Sequence, residues 1–175
     1  DTFGYRNNLG DLKVFEIDRE VMINDKIRRL DLNNVNHDLV NYVKCDFTDK
    51  NWVNKINESS YHNDRLSFCS LLGISYYLSK DDFYGMLKNI SNMICEGSSI
   101  VFDYPSCEES KSTLINEKLA SGAGEEMKSK YSFNELEKEL SNMGLYIYEH
   151  LNDEEMTKEY FDNYNKNNKD KIVAP

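Results

Sequence analysis

A chain of 175 residues is long enough for one domain with a sizeable core and too short to expect two. Hydrophobic residues at 39% and aromatics at 12% allow it to fold, while 30% charged residues and a mean hydropathy of -0.70 place it among soluble proteins, with no apolar run approaching a bilayer span. A net charge of -10 argues against a phosphate-gripping nucleic-acid binder, since the one basic cluster, Lys26–Arg29, falls in an expected helix and reads as a solvated face. A small molecule or a protein is the expected partner, with no nucleic acid and no membrane.

The chain opens without a basic start followed by an apolar stretch, so no signal peptide is expected. Strand and helix patterns then alternate, which predicts an α/β fold with a mostly parallel sheet. Leu12–Asp18 reads as a strand, and Val21, Ile23, Ile27 and Leu30 give a helical stripe. Tyr42–Asp46 reads as a second strand, followed by a short helix around Trp52, Val53 and Ile56. Leu66–Leu72, apolar almost throughout, reads as a buried central strand. Ser79 and Asp82 resemble a capping box, and Phe83, Met86, Leu87, Ile90, Met93 and Ile94 keep helical spacing up to a stop at Gly97. Ser99–Tyr104 is a fourth strand. Between Pro105 and Tyr131 lies a long connection with an expected helix at Leu114, Ile115 and Leu119, of the kind that forms a lid or substrate wall. A second capping box, Ser132 with Glu135, opens a helix with Phe133, Leu136, Leu140 and Met143 as its stripe and Gly144 as its stop. Leu145–Leu151 is read as a fifth strand, and Met156, Tyr160 and Tyr164 mark a last helix. The expected organisation is one domain over residues 1–175, with a cofactor half at 1–104, a lid at 105–131 and a helix–strand–helix part at 132–175.

Open parallel sheets bind ligands at the carboxyl ends of their strands. Asp18 ends the first strand, where a carboxylate can accept from both hydroxyls of a ribose. An acid there also suits the positive end of the following helix, and spacing does not separate the two readings. Glu16 is either buried or turned toward the far end of such a cofactor. After the second strand, Asp46-Phe47 offers an acceptor for an adenine amino group and an apolar neighbour for its face, or else a cap for the next helix. Two acids at successive strand ends together point to an adenosine cofactor. After the third strand, Leu72-Gly73 permits close approach of a ligand, and Tyr76 or Tyr77 lines an acceptor pocket or the core. Asp103 and Tyr104 follow the fourth strand and are the candidates for a general base, although a plain strand-end acid and a core tyrosine describe them as well. Tyr77 and Tyr104 are the two residues assigned to the substrate pocket. The Ser121–Gly124 run does not follow a strand and reads as a hinge. His37, His62 and His150 are isolated and make no metal pattern. Cys45, Cys69, Cys95 and Cys107 form no CxxC pair and fit a reducing, cytoplasmic setting.

Asp1-Thr2-Phe3-Gly4-Tyr5-Arg6, Val14-Phe15-Glu16-Ile17-Asp18, Tyr42-Val43-Lys44-Cys45-Asp46-Phe47, Tyr77-Leu78, Phe102-Asp103-Tyr104 and Glu159-Tyr160-Phe161 resemble, in order and spacing, segments of the leucine carboxyl methyltransferase-like O-methyltransferases. The resemblance implies a Rossmann-like class I methyltransferase fold, a three-layer αβα sandwich on a seven-strand sheet. It implies S-adenosylmethionine as methyl donor and an oxygen acceptor, a carboxylate or hydroxyl of a small molecule or of a protein C-terminus. It carries the ribose role onto Asp18 and the adenine role onto Asp46 and Phe47, and adds Asp1, Glu16, Leu72 and Gly73 to the cofactor-binding set. The family often has Glu-Gly where this chain has Leu72-Gly73. On the family pattern, the Gly-x-Gly loop and its strand fall ahead of Asp1 and a last strand falls beyond Pro175. Two other readings stand beside this one: a Rossmann-type oxidoreductase domain, because a ribose-binding acid also serves NAD, and a non-catalytic methyltransferase fragment.

Overall fold

The computed structural model describes residues 2–6, 10–108 and 127–173. They group into two compact units, one of residues 1–67 with 92–98 and one of residues 68–91 with 99–175. In the first unit a single helical turn, α1 (Phe3–Arg6), precedes β1 (Val14–Asp18), α2 (Glu20–Leu32), β2 (Val40–Lys44) and α3 (Trp52–Asn57). The two strands pair in parallel from Val14 opposite Val40 to Asp18 opposite Lys44, and α2 is the crossover that parallel pairing requires. Ile23 and Leu30 of α2 are buried, as are Trp52 and Ile56 of α3. Val21 lies off this stripe and is 76% exposed, a departure from the expected buried position.

Tight packing explains one glycine. A Cβ on Gly4 would stand 2.6 Å from Val40 Cγ2 and 3.2 Å from Val14 Cγ1, so only a hydrogen lets α1 sit against the start of both strands. Replacing Gly4 with Ala is expected to cost about 1–3 kcal/mol through overpacking. A urea midpoint equal to that of the parent would refute this account of the contact.

In the second unit β3 (Phe68–Leu71) pairs in parallel with β4 (Ser99–Phe102), and α4 (Lys80–Met93), α5 (Phe133–Asn142) and α6 (Asp153–Asn167) complete the described elements. Phe83, Met86, Leu87 and Ile90 are buried on α4, and Leu136 and Leu140 on α5, where helical spacing put them. Ser79 caps α4 by accepting from the Asp82 amide at 3.2 Å, and its own hydroxyl donates to the Asp82 carboxylate at 2.6 Å. The Ser132 box is only half made. Ser132 accepts from the Glu135 amide, but Glu135 turns away to accept from Lys80 Nζ at 2.7 and 2.8 Å and from the Tyr84 hydroxyl at 3.2 Å, tying α5 to α4. A full capping box does occur at α6, where Asn152 and Glu155 satisfy each other's backbone.

Two expectations about strands need correction. The described residues form four of the five strands expected in this chain, as two parallel pairs. β3 is not buried on both faces: Leu71 is covered, but Phe68 is 74% exposed, because alternate residues of β3 and β4 share a face that α4 does not reach. Leu145–Leu151 has alternating exposure, with Leu145 and Ile147 half-buried and Tyr148 fully exposed, yet it joins no ladder among the described residues. Alternation specifies which side chains face inward; a strand needs in addition a neighbour to receive its backbone hydrogen bonds.

The long connection closes on itself at its base. Ser106 bridges Tyr131, the Tyr131 amide donates to the Pro105 carbonyl at 2.9 Å, and the Cys107 amide donates to the Tyr131 carbonyl at 2.9 Å. The returning strand of this neck also bonds the loop after β3, through the Lys128 amide to the Tyr76 carbonyl and the Ser129 hydroxyl to the Leu78 carbonyl. The expected helix at Leu114, Ile115 and Leu119 and the hinge at Ser121–Gly124 lie outside the described residues, as do Asp1, Ala174 and Pro175.

Candidate functional site

Each strand pair presents its carboxyl end as a separate constellation. In the first unit Asp18 is the last residue of β1, and its Oδ1 accepts from the Arg19 amide at 2.7 Å, which aims the exposed carboxylate at the start of α2. The Cys45 amide donates to the Asp18 carbonyl at 3.0 Å, extending the ladder one step and bringing Cys45 and Asp46 alongside. Asp46 accepts from the Thr48 hydroxyl at 2.7 Å and the Thr48 amide at 2.9 Å, and these bonds hold its carboxyl below the ordinary value, so it remains ionised. Phe47 packs edge-on against buried Trp52, with ring centroids 5.1 Å apart. A shallow cleft of about 250 Å³ is lined by Arg19, Glu20, Val21, Lys44, Cys45 and Asp46, and Asp18 adjoins it through Arg19 and Cys45.

The charge in this cleft is legible in Cys45. Its thiol is pushed up to about 11, first by burial and then by Asp46, Asp18 and Asp49. A thiol raised from 9.0 to about 11 loses roughly 100-fold of its thiolate at pH 8. Cys45 should therefore alkylate at least tenfold more slowly than exposed Cys107. Equal labelling rates, read residue by residue in a peptide digest, would contradict the acidic surroundings described here.

Glu16 occupies a different place from these acids. Its carboxylate lies 2.6 Å from Lys26 Nζ, half-buried between β1 and α2. Burial pulls Lys26 downward, but the hydrogen bond and charge of Glu16 outweigh it and leave the ammonium above its ordinary value. The structure thus brings Asp18 and Asp46 together beside Cys45, turns Phe47 onto Trp52, and assigns Glu16 to an ion pair beneath the helix. Asp1 falls outside the described residues.

Leu72 and Gly73 belong to the second unit. Leu72 is exposed, and Gly73 turns the chain at φ +70°, a conformation that disfavours any side chain. The Gly73 amide donates to Asp103 Oδ1 at 2.7 Å, joining the loop after β3 to the end of β4. Fully buried Ser75 donates to the Asp103 carbonyl at 2.7 Å, and Tyr131 to the Ser75 carbonyl at 3.4 Å. Tyr77 is exposed and packs beside Tyr76, with centroids 6.3 Å apart. Tyr104 is half-buried, with its hydroxyl 2.8 Å from His150 Nε2. Sequence reasoning set His150 aside as isolated; its partner is 46 positions away, and no local pattern announces such a pair.

Comparisons with known proteins bear on the family and the fold. A family model described as leucine carboxyl methyltransferase matches residues 1–91. YktD of Bacillus subtilis (strain 168), a proposed S-adenosyl-L-methionine-dependent methyltransferase, is 31% identical over 178 aligned residues, covering 95% of this chain. The chain spans 58% of YktD's length. Two solved structures share the fold at 13% identity. One is a DUF574-family protein from Streptomyces avermitilis, with a TM-score of 0.55, covering 73% of this chain and 49% of that one. The other is a proposed O-methyltransferase from Nostoc punctiforme, with a TM-score of 0.53, covering 75% of this chain and 38% of that one. These likenesses identify the α/β architecture as Rossmann-like. With 91 of its 175 residues matched, and with both strand-end acids inside the matched stretch, the chain belongs to the leucine carboxyl methyltransferase family.

Proposed function

We propose that this chain forms the cofactor- and acceptor-binding core of an S-adenosylmethionine-dependent O-methyltransferase. The observation that carries the reading is the adjacency of Asp18 and Asp46 at the carboxyl ends of two parallel strands, around one cleft. Asp18 faces solvent and suits the two ribose hydroxyls as donors. Asp46, kept ionised by Thr48, accepts from an adenine amino group, with Phe47 as its apolar neighbour. Family membership favours this reading over the NAD-dependent one.

When bound, S-adenosylmethionine supplies an activated methyl group on a sulfonium, so the protein's part is alignment and exclusion of water. Asp18 and Asp46 fix the nucleoside, while Gly73 and Asp103 hold together the loops at the other strand ends. Within the second unit, Leu72 and Gly73 are proposed as cofactor contacts and Tyr77 and Tyr104 as acceptor contacts. The four described cysteines are free, and among the described residues no helix is long and apolar enough to cross a membrane. Titration calorimetry with S-adenosylmethionine and with NAD tests the proposal: uptake of the first alone supports it, and uptake of NAD alone rejects it.

A further inference from the structure

We propose that Tyr104 and His150 are a proton-accepting pair and that the methyl acceptor is an aromatic hydroxyl; this rests on the methyltransferase reading above. Tyr104 stands two residues past the end of β4, on the strand-end side where open parallel sheets take their ligands. Its ring stacks on the His150 imidazole at 5.9 Å with 28° between planes, and Phe133 packs on the same imidazole at 4.6 Å. Two aromatic rings and one hydrogen bond therefore orient a histidine that is otherwise exposed. Burial, then Glu108 and Cys107, raise the Tyr104 hydroxyl, so at neutral pH Tyr104 keeps its proton, 2.8 Å from His150 Nε2. That is the arrangement of a relay, with Tyr104 as the group that touches the acceptor and His150 as the base behind it.

The relay balances for a hydroxyl acceptor. As the acceptor oxygen takes the methyl group, the carbon–sulfur electron pair stays on sulfur. The acceptor's proton passes to the Tyr104 oxygen, the Tyr104 proton passes to His150 Nε2, and the exposed imidazolium returns it to solvent. A carboxylate acceptor has no proton to give and would leave this pair unused. The surroundings agree. Tyr104 and Phe133, both packed on the His150 imidazole, supply flat faces for an aromatic acceptor.

Para-nitrophenol is the probe, because its phenolate form has a visible band and needs no turnover to be read. The protein is expected to bind it at millimolar concentration or better and to raise the phenolate band. Tyr104→Phe, which keeps the ring stacking, and His150→Gln should each lose the band and weaken binding about tenfold, at an unchanged melting temperature. An unchanged band in both variants, or no binding by the parent, overturns the pair. S-adenosylmethionine calorimetry on the same samples separates the two claims. Uptake of cofactor with nitrophenol left neutral overturns the pair alone. Ionised nitrophenol without cofactor uptake overturns the methyltransferase reading and leaves the pair standing.

Discussion

Asp18→Ala should weaken S-adenosylmethionine binding by roughly 150-fold. Hydrogen bonds to a charged partner contribute about 1.5–3 kcal/mol each, and two ribose hydroxyls facing one carboxylate give at least about 3 kcal/mol. The carboxylate is exposed and its one described bond is to the adjacent Arg19 amide, so the substitution leaves the fold alone. Asp18→Asn, which keeps the shape and one acceptor, should fall between parent and Ala, about tenfold weaker than the parent. Calorimetry on the three proteins decides the matter. An Ala variant within threefold of the parent would mean that Asp18 serves α2 rather than a ribose.

The largest effect on stability is expected at Phe83. Its side chain is completely buried, and its ring meets Phe102 at 5.4 Å, Tyr131 at 5.5 Å and Tyr84 at 6.2 Å. Truncation to Ala removes the transfer energy of the ring, leaves a cavity among stiff aromatic neighbours and breaks the edge-on contacts with Phe102 and Tyr131. The cost should be about 3–5 kcal/mol, a third or more of the stability of an ordinary domain. Phe83→Leu should cost less than half as much, since it refills most of the space. Urea denaturation of both variants is the measurement, and a loss below about 1 kcal/mol for Ala would show that the cluster collapses around the gap.

How much of this was legible in the sequence varied with the range of the interaction. Helical stripes are local, and α4 and α5 appear with Phe83, Leu87, Ile90, Leu136 and Leu140 inward as their spacing dictates. The same spacing marks Met156, Tyr160 and Tyr164, yet α6 has no buried residue; periodicity names a face but not what covers it. Strands were legible as segments, while pairing was not: Leu145–Leu151 alternates as a strand does and joins no described ladder. At the candidate site, Asp18 and Asp46 were legible because strand-end position is a matter of counting along the chain. Glu16 sits only two residues from Asp18, but its environment depends on Lys26 one helix later, and the ion pair could not be read from spacing. The Tyr104–His150 contact spans 46 residues and depends wholly on the fold.

The neck at Pro105–Cys107 and Tyr131 has a consequence for engineering. Backbone hydrogen bonds already bring the two ends of the connection together, and Lys128 and Ser129 on its return are themselves bonded to the loop after β3. Doubling the number of residues between Cys107 and Tyr131 adds only about 0.6 kcal/mol of closure entropy. Graftings or deletions that keep Cys107 and the return from Lys128 to Tyr131 are therefore expected to leave the aromatic core around Phe83 undisturbed.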